Sequence, residues 1–174
     1  MLFLCTLHPH PESPTSAVGT VTAAVELHAD ALTIRYRLRA ELSLLRVPDG
    51  RAPGQRRDGL WRHTCCELFV MGADGAYHEF NFSPSGDWQA YRFRAYREHG
   101  GTPPDDVPGI VVQRGPDLLV VEARVPRAAL PAHPVKAAIT AVIEDATGTL
   151  SYWALHHVPG KPDFHHPAGF TVDL

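Results

Sequence analysis

Short runs of alternating apolar and polar residues, broken at close intervals by Gly and Pro, make up most of this chain. The clearest run is Leu32-Thr33-Ile34-Arg35-Tyr36-Arg37-Leu38-Arg39. On a strand Leu32, Ile34, Tyr36 and Leu38 share one face, and Arg35, Arg37 and Arg39 share the other. The same reading predicts strands over 18–28, 64–71, 77–82, 88–96, 110–114, 118–125, 136–145, 150–156 and 170–174. Turn signals separate them: Asp30-Ala31, Gly72-Ala73-Asp74-Gly75, Ser83-Pro84-Ser85-Gly86-Asp87, Gly115-Pro116-Asp117 and Thr147-Gly148. Residues 48–59, 99–108 and 160–167 read as loops, and 126–130 as one short helical turn. The result is about eight to eleven strands with very little helix. No crossover helices are available, so the sheet must be antiparallel, and the fold class is an all-β sandwich.

Composition narrows this picture. At 174 residues the chain suits a single domain spanning 1–174, long enough to bury a core without disulfides or metals. A formal net charge of −3 argues against nucleic acid as a partner. No apolar run approaches the length of a membrane span. The opening Met1-Leu2-Phe3-Leu4-Cys5 lacks a basic lead and a small-residue cleavage site. Three cysteines, Cys5, Cys65 and Cys66, are an odd number, and the adjacent pair points to opposite faces of a strand. A reducing, cytoplasmic setting is therefore expected. Eleven His residues make the charge sensitive to pH between about 5 and 7.

Four segments carry candidate chemistry. In Trp61-Arg62-His63-Thr64-Cys65-Cys66-Glu67-Leu68-Phe69 an aromatic precedes a Glu on an apolar strand. Glu67 is either a ligand-binding carboxylate beside an aromatic platform or a Glu on a solvated sheet face. Along 77–82, Tyr77, Glu79 and Asn81 share one face and His78, Phe80 and Phe82 the other. A carboxylate and an amide suit a hydroxyl-rich ligand, and a half-exposed hairpin is the ordinary alternative. Arg92 and Arg94 share a face and, with Arg35, Arg37 and Arg39, are candidates for a basic patch. Trp153 and Trp61 are candidates for two plates across a cleft, or else both belong to the core.

Other chemistries find less support. The His residues with Asp163 near the C-terminal end match no strong zinc spacing. Nucleophile-elbow, phosphate-loop and dinucleotide signatures are absent, and His63 does not converge with Cys65 or Cys66 on a strand.

Three stretches together resemble a known family: Leu60-Trp61-Arg62-His63-Thr64-Cys65-Cys66-Glu67-Leu68-Phe69, Tyr77-His78-Glu79-Phe80-Asn81-Phe82-Ser83-Pro84-Ser85-Gly86-Asp87-Trp88, and Tyr152-Trp153-Ala154-Leu155. They look like the bacterial DOMON-like domains, which are related to the family 9 carbohydrate-binding modules. The resemblance covers about residues 18–174 and implies a β-sandwich that binds a sugar or haem. In sugar-binding relatives two Trp side chains clamp the ring while a Glu and an Arg hydrogen-bond it. Here Trp61 and Glu67 match, Arg92 or Arg94 stands for the Arg, and Trp153 is the candidate second plate. In haem-binding relatives a Met pairs with a His or Lys, which here implicates Met71 with His156 or His157. No Cys-x-x-Cys-His attachment motif is present.

The expectation is a non-catalytic domain for a carbohydrate or sugar-derived metabolite, with Trp61, Glu67, Glu79, Asn81, Arg92, Arg94 and Trp153 around a small-molecule ligand. A b-type haem domain and a protein-interaction module are the alternatives. An enzyme using Glu67 and Glu79 as acid and base ranks last. The sequence sets no oligomeric state.

Overall fold

The computed structural model describes residues 2–13, 17–50 and 53–174. Met1 and residues 51–52 of the expected 48–59 loop lie outside the described residues. Twelve strands follow in chain order: β1 (Leu2–Pro9), β2 (Val18–Leu27), β3 (Ala31–Ala40), β4 (Cys65–Gly72), β5 (Tyr77–Phe82) and β6 (Trp88–Ala95), then β7 (Glu98–His99), β8 (Gly109–Arg114), β9 (Leu118–Pro126), β10 (Pro134–Glu144), β11 (Leu150–Ala154) and β12 (Val172–Asp173). Single 3-10 turns at Leu42–Leu44, Leu60–Arg62, Arg127–Ala129 and Pro167–Gly169 supply the only helical geometry among the described residues. The all-β, antiparallel class expected from the alternating runs is therefore what forms.

The strands run in the order β7-β6-β5-β4-β10-β11-β1-β2-β3-β9-β8, with β12 added beside β10. β1 is the hinge of this arrangement. Its residues 2–7 pair with β2, while His8 and Pro9 pair with Ala154 and Trp153 of β11. The ribbon folds over at β1 into two layers. We call β7-β6-β5-β4-β10-β11 with β12 the front sheet and β1-β2-β3-β9-β8 the back sheet. One core fills the space between them, from Val21, Ile34, Tyr36, Leu38 and Val121 behind to Leu68, Phe80, Phe82, Ile139 and Trp153 in front.

β1 escapes the sequence pattern for a physical reason. Leu2 and Leu4 are exposed while Phe3 and Cys5 pack against the core, so both faces of the strand are apolar and no alternation shows. Its pairing partners on both sides hold it in place instead. β7 is a two-residue strand at the margin of the expected 99–108 loop.

The two layers differ in how they meet solvent. β3 alternates buried and open positions, with Arg35, Arg37 and Arg39 facing out. β5 is buried at every residue, and β4 at all but Met71. The front sheet is thus covered on both faces, and the half-exposed hairpin, the ordinary alternative for 77–82, is not what forms. Gly75 at φ +81° and Gly86 at φ +90° close the β4–β5 and β5–β6 turns, a conformation that other L-residues resist. Those turns set the register that places Glu67 opposite Asn81, and Phe69 opposite Glu79.

A buried hydrogen bond crosses the core of the sandwich. The buried Tyr36 hydroxyl of β3 donates to the Glu67 carbonyl of β4 at 2.6 Å. Tyr36→Phe keeps the ring and removes the donor. It is expected to lower the unfolding free energy by about 1 kcal/mol, read from the urea midpoint at constant slope. An unchanged midpoint would show that this cross-layer bond adds nothing.

Candidate functional site

Strand parity decides which side chains leave the core. In β4, Cys66, Leu68 and Val70 pack inward, so Cys65, Glu67 and Phe69 point to the far face of the front sheet. In β5, Phe80 and Phe82 pack inward, which turns Tyr77, Glu79 and Asn81 outward. The same parity exposes Tyr91 and Phe93 of β6, Val142 of β10 and Tyr152 of β11 on that face. With Glu67, Phe69 and Glu79 these four form the floor of a pocket of about 370 Å³.

Irregular chain forms the walls. Trp61 enters from the 3-10 turn Leu60–Arg62, and its side chain stays 46% exposed. Arg97 comes from the turn after β6, His99 from β7, and Pro162, Phe164 and His165 from the segment before β12. Phe69 and Phe93 hold the His165 ring edge-on at 5.2 and 4.9 Å, and Tyr77 stacks on Phe93 at 4.8 Å. The lining is mostly aromatic with a few polar groups, the usual make-up of a small-molecule site.

The polar groups are unusual for their burial. Glu67 is 3% exposed and Glu79 6%, so both have left bulk water. Glu79 Oε1 accepts from Asn81 Nδ2 at 2.9 Å, and its Oε2 lies 3.6 Å from His165 Nε2. Glu67 Oε2 has the Thr140 hydroxyl at 3.4 Å, while Oε1 has no partner among the described residues. Burial pushes the Glu67 carboxyl well above the usual carboxylate range, and the charge of Glu79 pushes it further. Burial also raises Glu79, against the opposing pull of the Asn81 hydrogen bond and Arg97. His165 moves the other way: burial first, then the Arg97 charge, lowers it to about 4, which keeps the ring neutral at pH 7.

Arg97 is a pocket residue that the alternation could not reveal. It sits just past β6 with φ +54°, a left-handed backbone uncommon for a non-glycine residue. Its guanidinium donates to Asp163 Oδ1 at 2.8 Å, and its backbone N–H to the Tyr77 hydroxyl at 3.1 Å. Tyr77 in turn hydrogen-bonds His165 Nδ1 at 2.9 Å. Asp163 and His165 thus join the site as anchors of the wall segment. Among the described residues no group of His, Cys, Asp and Glu is arranged to hold a metal ion.

The structure brings together three of the expected residues, Trp61, Glu67 and Glu79, around the pocket. The solvated reading of Glu67 is overturned by its burial. Asn81 lies beneath the site, buried completely, and reaches it through Glu79. Arg92 and Arg94 do not take part. Parity puts them on the opposite side of β6 from Tyr91 and Phe93. Arg92 stands across from His78, and Arg94 pairs with Glu98. The expected basic patch does not form either, since Arg35 lies on the outer face of the back sheet in an ion pair with Glu122. Trp153 belongs to the inter-sheet core, with Nε1 donating to Ser151 Oγ at 2.9 Å. It cannot be the second plate. Its neighbour Tyr152 reaches the pocket instead, because adjacent strand residues face opposite ways.

Met71, His156 and His157 do not line the pocket. Met71 packs beside Phe69 and Phe170, and His157 Nε2 is bonded to the His8 carbonyl at 2.8 Å. His63 engages Glu144 at 2.7 Å, and burial holds the Cys65 thiol well above its usual range, so no thiolate pair is assembled.

No family model and no curated protein matches the chain. Solved structures do. A Bacteroides uniformis protein described as a candidate carbohydrate-binding protein superposes with a TM-score of 0.69 at 16% identity, over 97% of this chain and 84% of that one. A family 9 carbohydrate-binding module from Caldicellulosiruptor kristjanssonii, solved with cellotriose, gives 0.51 at 11% identity, over 86% of this chain and 70% of that one. Its complex with glucose gives 0.50 at 11% identity, over 86% and 72%. At these identities the likeness is one of fold: the chain shares the β-sandwich of the family 9 modules.

The raised carboxyls make a pH-dependent cost. A group whose folded-state pKa is raised stabilises the fold below its ordinary range, and that contribution is lost as pH rises through the folded value. Glu67→Gln removes the titrating group while keeping the shape. Its melting temperature is expected to gain on wild type steadily from pH 5 to pH 8. A gap that stays constant with pH would mean that Glu67 is not held protonated.

Proposed function

We propose that this pocket is a non-catalytic recognition site for a carbohydrate or a sugar-derived metabolite. The observation that carries the reading is the exposed Trp61 beside a pocket whose floor holds buried carboxyl groups. An indole face stacks against the C–H surface of a sugar ring, and buried carboxyls pair with its hydroxyls. Tyr91, Tyr152 and Phe164 offer further ring contacts in the place expected for Trp153. The volume suits a small ligand, and the family 9 relatives with this fold were solved with glucose and cellotriose. The finer assignment, a single DOMON-like domain over 1–174, belongs to the same proposal and rests on the 60–69 and 77–88 stretches.

An acid/base enzyme is the weaker reading of the same two Glu residues, since the family 9 modules that share this fold were solved with bound sugars.

Titration calorimetry with glucose and cellotriose tests the proposal. Trp61→Ala is expected to weaken binding by about 1–3 kcal/mol if the indole stacks on the ring. Trp153→Phe, a core change, is expected to leave the affinity in place. An unchanged isotherm for Trp61→Ala would remove Trp61 from the site.

A further inference from the structure

The charges around the pocket do not balance. Glu67 and Glu79 face it from β4 and β5, each more than nine-tenths buried, and Glu67 Oε1 has no partner among the described residues. Arg97 is the one Lys or Arg among the described lining residues, and its guanidinium is committed to Asp163. His165 is held neutral by burial and by that same Arg97. The Tyr91 hydroxyl of β6 donates to Asp58, the His99 ring packs on Phe93 at 4.5 Å, Tyr152 comes from β11, and β10 contributes the uncharged Thr140 and Val142. Around these carboxyls stand the rings of Trp61, Tyr91, Phe93 and Tyr152.

A neutral sugar would satisfy the open oxygen but leave any carboxylate charge uncompensated. An ammonium does both. It brings three donors and a positive charge, and a charge-assisted bond to a carboxylate is about twice as strong as a neutral one. Aromatic faces attract the same cation. We propose that the ligand is a sugar carrying a primary amine, with its ammonium seated between Glu67 and Glu79 and its ring against Trp61. This rests on the sugar reading above and narrows it to one chemical class. In the free protein a bound proton relieves the buried pair. The ammonium takes over that role, so binding releases the proton to the buffer. N-acetylation removes the charge and with it the preference.

Titration calorimetry of the whole chain at pH 7 with matched probes tests this. Glucose, galactose and mannose are compared with glucosamine, galactosamine and mannosamine, and with N-acetylglucosamine. At least one amine is expected to bind about tenfold or more tighter than its neutral parent, a difference of about 1.4 kcal/mol. Repeating that titration in buffers of different ionisation heat should reveal proton release on binding of the amine and none with the parent hexose. In Glu67→Gln the ratio of amine to parent affinity should fall to near one. If every hexose binds as tightly as its amine, the inference is overturned while the sugar reading stands. If neither class binds, the sugar reading itself fails and takes the inference with it. The proton-release measurement uses wild-type protein, so it decides the question even where the Gln variant folds poorly.

Discussion

The organising constraint is that the front sheet is buried on both faces but has a second sheet on only one. Against the back sheet it presents Leu68, Phe80, Ile139 and Trp153, an ordinary apolar surface. Its other face is covered by turns and by the segment before β12, which cannot pack as closely as strands. That incomplete cover leaves a cavity over the centre of the sheet. Its floor is built from alternate residues of β4, β5 and β6, so the register of the β4–β5–β6 meander decides what the cavity offers. A one-residue slip would send Glu67 and Glu79 into the core and bring Leu68 and Phe80 out. Both hairpin turns and the Tyr36 bond to the Glu67 carbonyl work against such a slip.

The electrostatics follow from the same cover. The carboxyls at the floor are almost wholly shielded from solvent, so they cost free energy as charges and their proton affinities rise. The wall is tied down by groups that also tune the floor. Asp163 holds Arg97, Arg97 and Tyr77 flank His165, and His165 approaches Glu79. Moving the wall segment would therefore change the charge environment of Glu79 directly. Trp61 stands apart from this network, with Arg62 over its ring at 5.2 Å and nearly half of its surface open. Its exposure is what a recognition platform requires and what a core residue avoids.

Much of this was legible in the alternating pattern. The parity of Leu32 to Arg39, of Cys65 to Val70 and of Tyr77 to Phe82 holds in the structure, and it is what places Glu67 and Glu79 on one face. What parity leaves open is what covers each face. A two-period pattern separates one side of a strand from the other, but not solvent from a wall of loop, so the burial of β5 could not be read from it. Parity also speaks directly against Arg92. Its neighbours Tyr91 and Phe93 line the pocket, so the resemblance-based choice of Arg92 or Arg94 conflicts with the sheet. Trp153 and Tyr152 exchange roles for the same reason. Arg97 and His165 lie outside the strands, where position depends on long-range contacts that no local spacing records. A weak signal did exist for His165, in the dense aromatic and His run from Phe164 to His166.

The central claim is that the far face of the front sheet, beneath Trp61, is where a ligand binds. The three indole N–H groups, of Trp61, Trp88 and Trp153, report on it separately, since Trp88 and Trp153 are buried in the core. A nitrogen-15 NMR titration with glucosamine measures all three at once. The account predicts a saturable shift of the Trp61 indole while the other two stay near their starting positions. A saturable shift of Trp88 or Trp153 with Trp61 unmoved would place the ligand elsewhere and contradict it.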